Sequence, residues 1–414
     1  MKTFGILVGG GPAPGINGVI GAAASLALRR GDRVRGILDG FRWIMEGDIE
    51  HVRDLDAESV ARIHLEGGSI LHTSRANPTR KPEHLENCIR ALDALGIEHL
   101  ITIGGDDTAS SSNRVAESAN GRITVVHVPK TIDNDLPLPD GIPTFGFETA
   151  REHATTVVER IQEDMRSTNR WFFIVMMGRS AGHLALGAGK AAGAPITLIP
   201  EEFPDRPIRL EDAVRTLEGA IVKRLAAGRP DGVAVIAEGV ASHFDPDDPI
   251  LKDAPRDEHG HVRLAEVPIA RVLRTAVAES LASRGVKVTI GEKDVGYELR
   301  CGYPIAYDRD YTRDLGVGAV RSLLDGHSSV LITRQAGQIV PIPFAEIVDP
   351  ATGRARVRQV DVASDSYKNA FALQERVQLE DLRDEATLAA IAAAANLTPE
   401  EATRRYMPLG EDGG

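Results

Sequence analysis

The feature that most limits the fold of this chain is an alternation, through its first half, of short apolar runs with helix-period segments, joined by glycine-rich turns. Apolar runs of that length fit buried strands, and strands separated by crossover helices make a parallel sheet. Phe4 to Val8 is the first such run. Ile16, Val19, Ile20, Ala23 and Ala27 follow at helical spacing, with a stop at Gly31. Leu85, Cys88, Ile89, Leu92 and Leu95 form the next helical stripe, and His99 to Ile103 and Ile123 to Val128 are strands. Near residue 150 the alternation restarts with a polar helix from Glu148 to about Thr168, a strand from Trp171 to Met177 and another glycine-rich turn, which predicts a second α/β unit. There, Leu210 to Leu225 is an amphipathic helix, Gly232 to Ala237 a buried strand, Val267 to Gly285 a helix and Val286 to Ile290 a strand. Ala241 to His261, crowded with Asp, Pro and His, is expected to be a solvated insertion. Toward the end, Ala389 to Ala395 is helix-forming and Thr398-Pro399-Glu400-Glu401 has capping-box spacing. The final Gly410 to Gly414 is expected to fray.

Length and charge narrow the function. With 414 residues, 42% of them hydrophobic, the chain can bury the cores of two or three domains. Its 48 basic against 60 acidic residues give a net charge of -12, which argues against a general nucleic-acid or anionic-membrane surface. No apolar run approaches the ~20 residues of a membrane span, and the apolar stretch at the start is too short for a signal peptide. Only Cys88 and Cys301 are present, too few for a disulfide framework or a cysteine zinc site, and this fits a reducing, cytoplasmic setting.

Four strand ends carry polar turns. Gly9-Gly10-Gly11-Pro12-Ala13-Pro14-Gly15 lies between a strand and a helix, where backbone N–H groups can approach phosphate oxygens; a tight turn without ligand has the same composition. A dinucleotide fingerprint fails there, because Pro14 or Pro12 occupies a required glycine position. Gly104-Gly105-Asp106-Asp107-Thr108 places two carboxylates at a strand end, which would repel a polyphosphate unless a hard cation such as magnesium intervenes; a helix cap would read alike. Pro129-Lys130-Thr131-Ile132-Asp133-Asn134-Asp135 offers carboxylates to a hydroxyl and a metal, and a lysine to phosphate, although a solvated loop looks similar. Met177-Gly178-Arg179-Ser180-Ala181-Gly182-His183 carries an arginine able to clamp a transferring phosphoryl group or simply to face solvent.

Taken in order, these turns, with Ala237-Glu238-Gly239 and the segment from Gly296 to Arg309, resemble those of phosphofructokinases over positions about 4 to 320. The resemblance implies two similar Rossmann-like α/β domains with the active site in the cleft between them. Residues 1–146 plus about 300–360 would take the phosphoryl donor, and residues 147–299 plus about 361–414 the sugar phosphate. It implies transfer to the 1-hydroxyl of fructose 6-phosphate, with Asp133 as general base, Asp106 as the Mg2+-linked carboxylate, and Thr131 and Asp135 supporting them. Arg179 and Lys130 would stabilise the transition state. Met177, Gly178, Glu238, Tyr297 and Arg300 would hold the sugar phosphate, and Gly11, Arg75, Asp107, Thr108 and Lys130 the donor. Arg170 and, as the second basic residue, Lys287 would reach a neighbouring subunit's sugar phosphate, so the resemblance implies a homodimer or homotetramer. Gly291 to Val295 reads as an insertion in this frame, and no site residue is implied beyond about 325.

The donor turns on two positions. ATP-using relatives keep glycine where this chain has Asp107 and Lys130, and pyrophosphate-using members resemble it at both. Asp107 fills and makes negative the space an α-phosphate and ribose need, and Lys130 pairs with the compact anion. Gly21 and Ser25 stand where allosteric bacterial relatives carry effector-binding arginines, which argues against nucleotide control. Three alternatives stay open: an ATP-dependent phosphofructokinase, a pyrophosphate-dependent kinase of sedoheptulose 7-phosphate, and a ligand-sensing homologue without activity. Asp133 and Asp106 are both present, which speaks against the last.

Overall fold

The computed structural model describes residues 1–139, 141–203, 207–256, 260, 262–263, 266–347 and 356–408. They sort into two compact units, Met1–Ala150 with Tyr297–Arg358, and Arg151–Gly296 with Gln359–Gly414. The first unit holds strands β1 (Thr3–Val8), β2 (Arg33–Ile37), β3 (Val52–Asp54), β4 (His99–Gly104), β5 (Thr124–Pro129), β10 (Val330–Gln335) and β11 (Gln338–Pro343). They form one 7-stranded sheet in the order β11-β10-β5-β4-β1-β2-β3. Its centre is parallel, and only the outer pairs β2–β3 and β10–β11 are antiparallel.

Both faces of this sheet are covered, which explains why its strands read as unbroken apolar runs. Phe4, Ile6 and Val8 of β1 point into one core with Ile16, Val19 and Ile20 of the helix Ile16–Arg29 and Leu315 and Val320 of the helix Ala306–Leu324. Leu7, between them, points to the other core with Cys88 and Leu92 of the helix Pro82–Ala94 and Val115 of the helix Asp106–Ala119. The strand period of two thus feeds two helical layers, and every central strand ends its run at the same edge. The turns after β1, β4 and β5 accordingly lie side by side.

The second unit carries a 4-stranded parallel sheet in the order β7-β8-β6-β9, with β6 (Trp171–Met176), β7 (Ile196–Leu198), β8 (Gly232–Ala237) and β9 (Ile290–Val295). The expected strand Val286–Ile290 and insertion Gly291–Val295 are corrected here. The supposed insertion is itself the edge strand, paired with β6 from Trp171↔Ile290 to Met176↔Val295. Its exposed Lys293 and Asp294 hid it, since an edge strand with one face in water tolerates charge. Ala241–His261 is also more ordered than expected over its described part. Short 3-10 turns span Glu238–His243 and Pro249–Leu251, and Phe244 and Leu251 are buried anchors. His261 and Asp257 to His259 lie outside the described residues, as do Gly410 to Gly414. Thr398 and Glu401 make both bonds of the capping box at the head of the helix Pro399–Tyr406. Among the described residues no helix is long and apolar enough to cross a membrane.

Candidate active site

In the first unit the site is built by stitching neighbouring turns together. The Gly10 N–H donates to the Ser74 carbonyl at 2.8 Å, and the Thr73 hydroxyl to the Gly10 carbonyl at 2.7 Å, so the loop carrying Arg75 lies against the glycine turn. The Gly104 carbonyl accepts both the Lys130 N–H at 2.8 Å and His127 Nε2–H at 3.0 Å, which ties the ends of β4 and β5 together. His127 Nδ1 in turn accepts from the Thr102 hydroxyl at 2.8 Å, and Ser112 Oγ lies 2.7 Å from Thr102 Oγ1 and 2.6 Å from the Thr108 carbonyl. Burial holds the pKa of His127 down at about 3, so the imidazole is neutral and the tautomer follows from its partners.

Lys130 is the innermost cation, 5% exposed, with its ammonium donating to the Gly11 carbonyl. Burial pushes its pKa down to about 8; Asp133 and Asp135 oppose the fall, and Arg300 and Arg75 add to it. Arg300 comes from the short helix Tyr297–Arg300, its Cζ 3.6 Å from where a Cβ on Gly11 would stand. Its guanidinium lies 5.1 Å from the ring centroid of Tyr297, which is itself 78% exposed. Lys130 and Arg300 therefore meet at Gly10 and Gly11, with the loop of exposed Arg75 alongside, an arrangement suited to a compact polyanion.

The carboxylates stand around this cluster. Asp106 and Asp107 are exposed as the first two residues of the helix Asp106–Ala119. Asp133 and Asp135 are half-buried, and the Asp133 N–H donates to the Thr131 hydroxyl at 3.0 Å. Thr108, placed with the donor ligands from sequence, is buried, and a Cβ on Gly9 or Gly104 would collide with its side chain. Its side chain also packs as a post beneath the two turns. Among the described residues no group of three ligating side chains could cage a metal ion. A single carboxylate at Asp106 fits Mg2+ of the kind that keeps several waters and is held mainly by substrate phosphates.

The second unit groups the other residues. The Gly239 N–H donates to the Gly178 carbonyl at 3.0 Å, bringing Glu238 beside Met177, Gly178 and Arg179 at the carboxyl ends of β6 and β8. Gly178 has φ 137°, a conformation only glycine adopts easily, and this turns exposed Arg179 out of the strand line. Arg170 and Lys287 do not join them. They precede β6 and β9, whose first residues Trp171 and Ile290 are paired, so both lie at the amino-terminal edge. A strand of 6 residues separates that edge from Arg179 by roughly 20 Å.

The sequence pattern that defines phosphofructokinases matches residues 3–323. The chain belongs to the phosphofructokinase family. It is 51% identical over 418 residues to a Thermotoga maritima protein named pyrophosphate--fructose 6-phosphate 1-phosphotransferase, spanning 99% of both chains. A Naegleria fowleri protein of the same name is 48% identical over 421 residues, covering 99% of this chain and 96% of the relative. A Mycobacterium tuberculosis protein named ATP-dependent 6-phosphofructokinase is 34% identical over 346 residues, 83% of this chain and 94% of the relative. The family therefore contains members named for both donors. Among solved structures, a pyrophosphate-dependent phosphofructokinase from Nitrosospira multiformis superposes with TM-score 0.69 at 20% identity, covering 88% of each chain. The phosphofructokinase of Saccharomyces cerevisiae superposes with TM-score 0.68 at 22% identity over 98% of this chain, which spans about half (48%) of the yeast chain. At those identities the two structures establish the phosphofructokinase fold.

Sequence reasoning missed Arg358. Its guanidinium and backbone N–H reach the loop that carries Asp133 from a separation of 224 residues. Nothing in the local sequence of Arg358 marks it. The structure shows what it holds: Asn134 adopts φ 57°, a conformation that asparagine tolerates.

Proposed function

We propose that this protein transfers a phosphoryl group reversibly from pyrophosphate to the 1-hydroxyl of fructose 6-phosphate, giving fructose 1,6-bisphosphate and phosphate. The observation that carries the reading is Lys130, buried against Gly11 within electrostatic reach of Arg300 and Arg75, with Asp107 exposed at the start of the adjoining helix. A lysine at that depth serves a short, highly charged donor, and Asp107 repels the longer phosphate chain and ribose of a nucleotide. The names of the two relatives that match almost the whole chain support the same donor and acceptor.

In this reading Asp133 takes the proton of the sugar hydroxyl as the hydroxyl oxygen attacks the near phosphorus of pyrophosphate, and the bridging P–O bond breaks to release phosphate. Lys130 and Arg75 neutralise the donor, Arg300 with Tyr297 holds the sugar phosphate beside the donor turn, Thr131 and Asp135 orient the acceptor side, and Arg179 stabilises the charge on the transferring group. Met177, Gly178 and Glu238 contact the sugar. Mg2+, held through Asp106 and the donor phosphates, would supply charge neutralisation. The first unit is assigned to the donor and the second to the sugar phosphate.

Arg170 and Lys287, at the sheet edge remote from Arg179, are assigned to a neighbouring subunit's site, with a homodimer or homotetramer as the active form. A cytoplasmic location fits two free cysteines, Cys88 buried and Cys301 exposed.

The deciding experiment is a coupled assay crossing pyrophosphate and ATP with fructose 6-phosphate and sedoheptulose 7-phosphate, on wild type and Asp107→Gly. Wild type is expected to prefer pyrophosphate and fructose 6-phosphate, and Asp107→Gly to gain ATP tolerance. A higher wild-type kcat/KM for ATP than for pyrophosphate would overturn the donor assignment, and one higher for sedoheptulose 7-phosphate the acceptor assignment.

A further inference from the structure

The segment that carries Asp133 is neither helix nor strand, so something other than a backbone ladder must hold it. One side is held by Thr144, whose N–H donates to Asn134 Oδ1 at 3.0 Å and whose hydroxyl donates to the Thr131 carbonyl at 2.9 Å. Arg358 holds the other. Its Nε donates to the Asn134 carbonyl at 3.0 Å, its Nη1 to the Ile142 carbonyl at 2.7 Å and its Nη2 to Asn134 Oδ1. The Arg358 backbone N–H adds a bond to the Asp135 carbonyl at 2.8 Å. One residue thus satisfies acceptors at both ends of the loop from Asn134 to Ile142. Arg358 is also the last residue of the first unit, after which the chain enters the second.

We propose that Arg358 is a positioning residue for phosphoryl transfer, its planar guanidinium clamping Asn134 to Ile142 so that Asp133 and Asp135 keep their places on either side of Asn134. The proposal rests on the reading of Asp133 as the base. Its bonds run to backbone carbonyls and to Asn134, so it acts through the loop. The geometry requires arginine: three coplanar donors spread over two residues cannot be supplied by the single ammonium of lysine. A base must lie within hydrogen-bond reach of the proton it takes, and a displacement of about 1 Å costs on the order of 100-fold in rate.

The test uses the full-length enzyme with Arg358→Lys, Arg358→Ala and Asn134→Gly, the last keeping the positive φ without the side-chain acceptor. Steady-state kinetics with pyrophosphate and fructose 6-phosphate are expected to show kcat lowered roughly 10- to 100-fold in both Arg358 variants, with both KM values within about threefold. Added guanidinium is expected to restore part of the kcat of Arg358→Ala, and amide exchange over residues 131–144 to quicken in both. Arg358→Lys combined with Asn134→Gly should lose less than the product of the single losses, because both changes remove the same bond from Nη2 to Asn134 Oδ1. If Arg358→Ala does not fold, Arg358→Lys carries the decision. A kcat within threefold of wild type, or unchanged amide exchange over 131–144, would overturn the clamp. Wild type inactive with every donor and sugar counts against the proposed function alone, and the exchange comparison then decides the clamp.

Discussion

Lys130 links the depth of the site to a measurable pH dependence. Its pKa falls from 10.5 to about 8, a preference for the neutral amine of about 3 kcal/mol. The free enzyme is therefore mostly protonated at pH 7 and mostly neutral at pH 9. Only the ammonium makes a charge-assisted bond to pyrophosphate, so kcat/KM for pyrophosphate should fall about tenfold per pH unit above pH ~8. Turnover at saturating pyrophosphate should fall later, because the bound anion raises the lysine pKa. The assay is initial rates from pH 6.5 to 9.5 for wild type, Lys130→Arg and Lys130→Met. Ionisation of the substrate affects all three alike and cancels in their ratios. The arginine variant keeps its charge and should lack the step, and the methionine variant should be weak and flat. Stability should move the opposite way. The folded pKa lies below the unfolded one, so the unfolded state binds more protons between pH ~8 and 10.5, and stability rises across that window and is lowest below it. At pH 7 Lys130→Met should therefore be more stable by about 2 kcal/mol, the ~3 kcal/mol of relieved burial less ~1 for the lost bond to Gly11. A wild-type to Lys130→Arg ratio of kcat/KM for pyrophosphate that stays constant from pH 7 to 9.5 would refute the reasoning.

Asp133→Ser should lower turnover by ~100- to 10,000-fold with little change in sugar-phosphate affinity, measured by kinetics and calorimetry; turnover within a few-fold of wild type removes it as the base. Mixing inactive Arg170→Ala with inactive Asp133→Ser should regenerate some sites holding both groups, and no recovery despite proven subunit exchange would count against a shared site. His127→Phe removes one of the two donors to the Gly104 carbonyl and the acceptor of the Thr102 hydroxyl, so unfolding free energy should drop by about 1–3 kcal/mol and KM for pyrophosphate rise more than KM for fructose 6-phosphate; equal KM changes would contradict a local role at the donor turn. Gly9→Ala should be destabilised by collision with the Thr108 hydroxyl and methyl and largely recovered in Gly9→Ala with Thr108→Ala; an unaltered melting temperature in the single variant would show that the turn has room.

Much of the first unit was legible because its signals are local. The apolar runs at β1, β4 and β5 and the helical stripe from Ile16 to Ala27 are properties of adjacent residues, and glycine turns follow from what the backbone must do at a strand end. The placement of Asp106, Asp107, Lys130 and Asp133 was legible for the same reason, each lying within a few residues of a predicted strand end. What the chain could not reveal locally is everything set by sheet order and depth. β9 was misplaced because its polar face becomes strand-like only when paired to β6. Arg170 and Lys287 were recognised as basic residues, and only the register of β6 with β9 puts them together at the edge away from Arg179. Lys130 reads as a charged loop residue until the turns after β1, β4 and β5 close over it and remove the water that would hold its pKa near 10.5. Arg358 is the extreme case, since its partners lie 216 and 224 residues away and no periodicity spans that gap. Sequence fixes which groups and turns exist through short-range sterics and hydrophobic period; burial and long-range hydrogen bonds, which decide ionisation and position, arise only when distant segments meet.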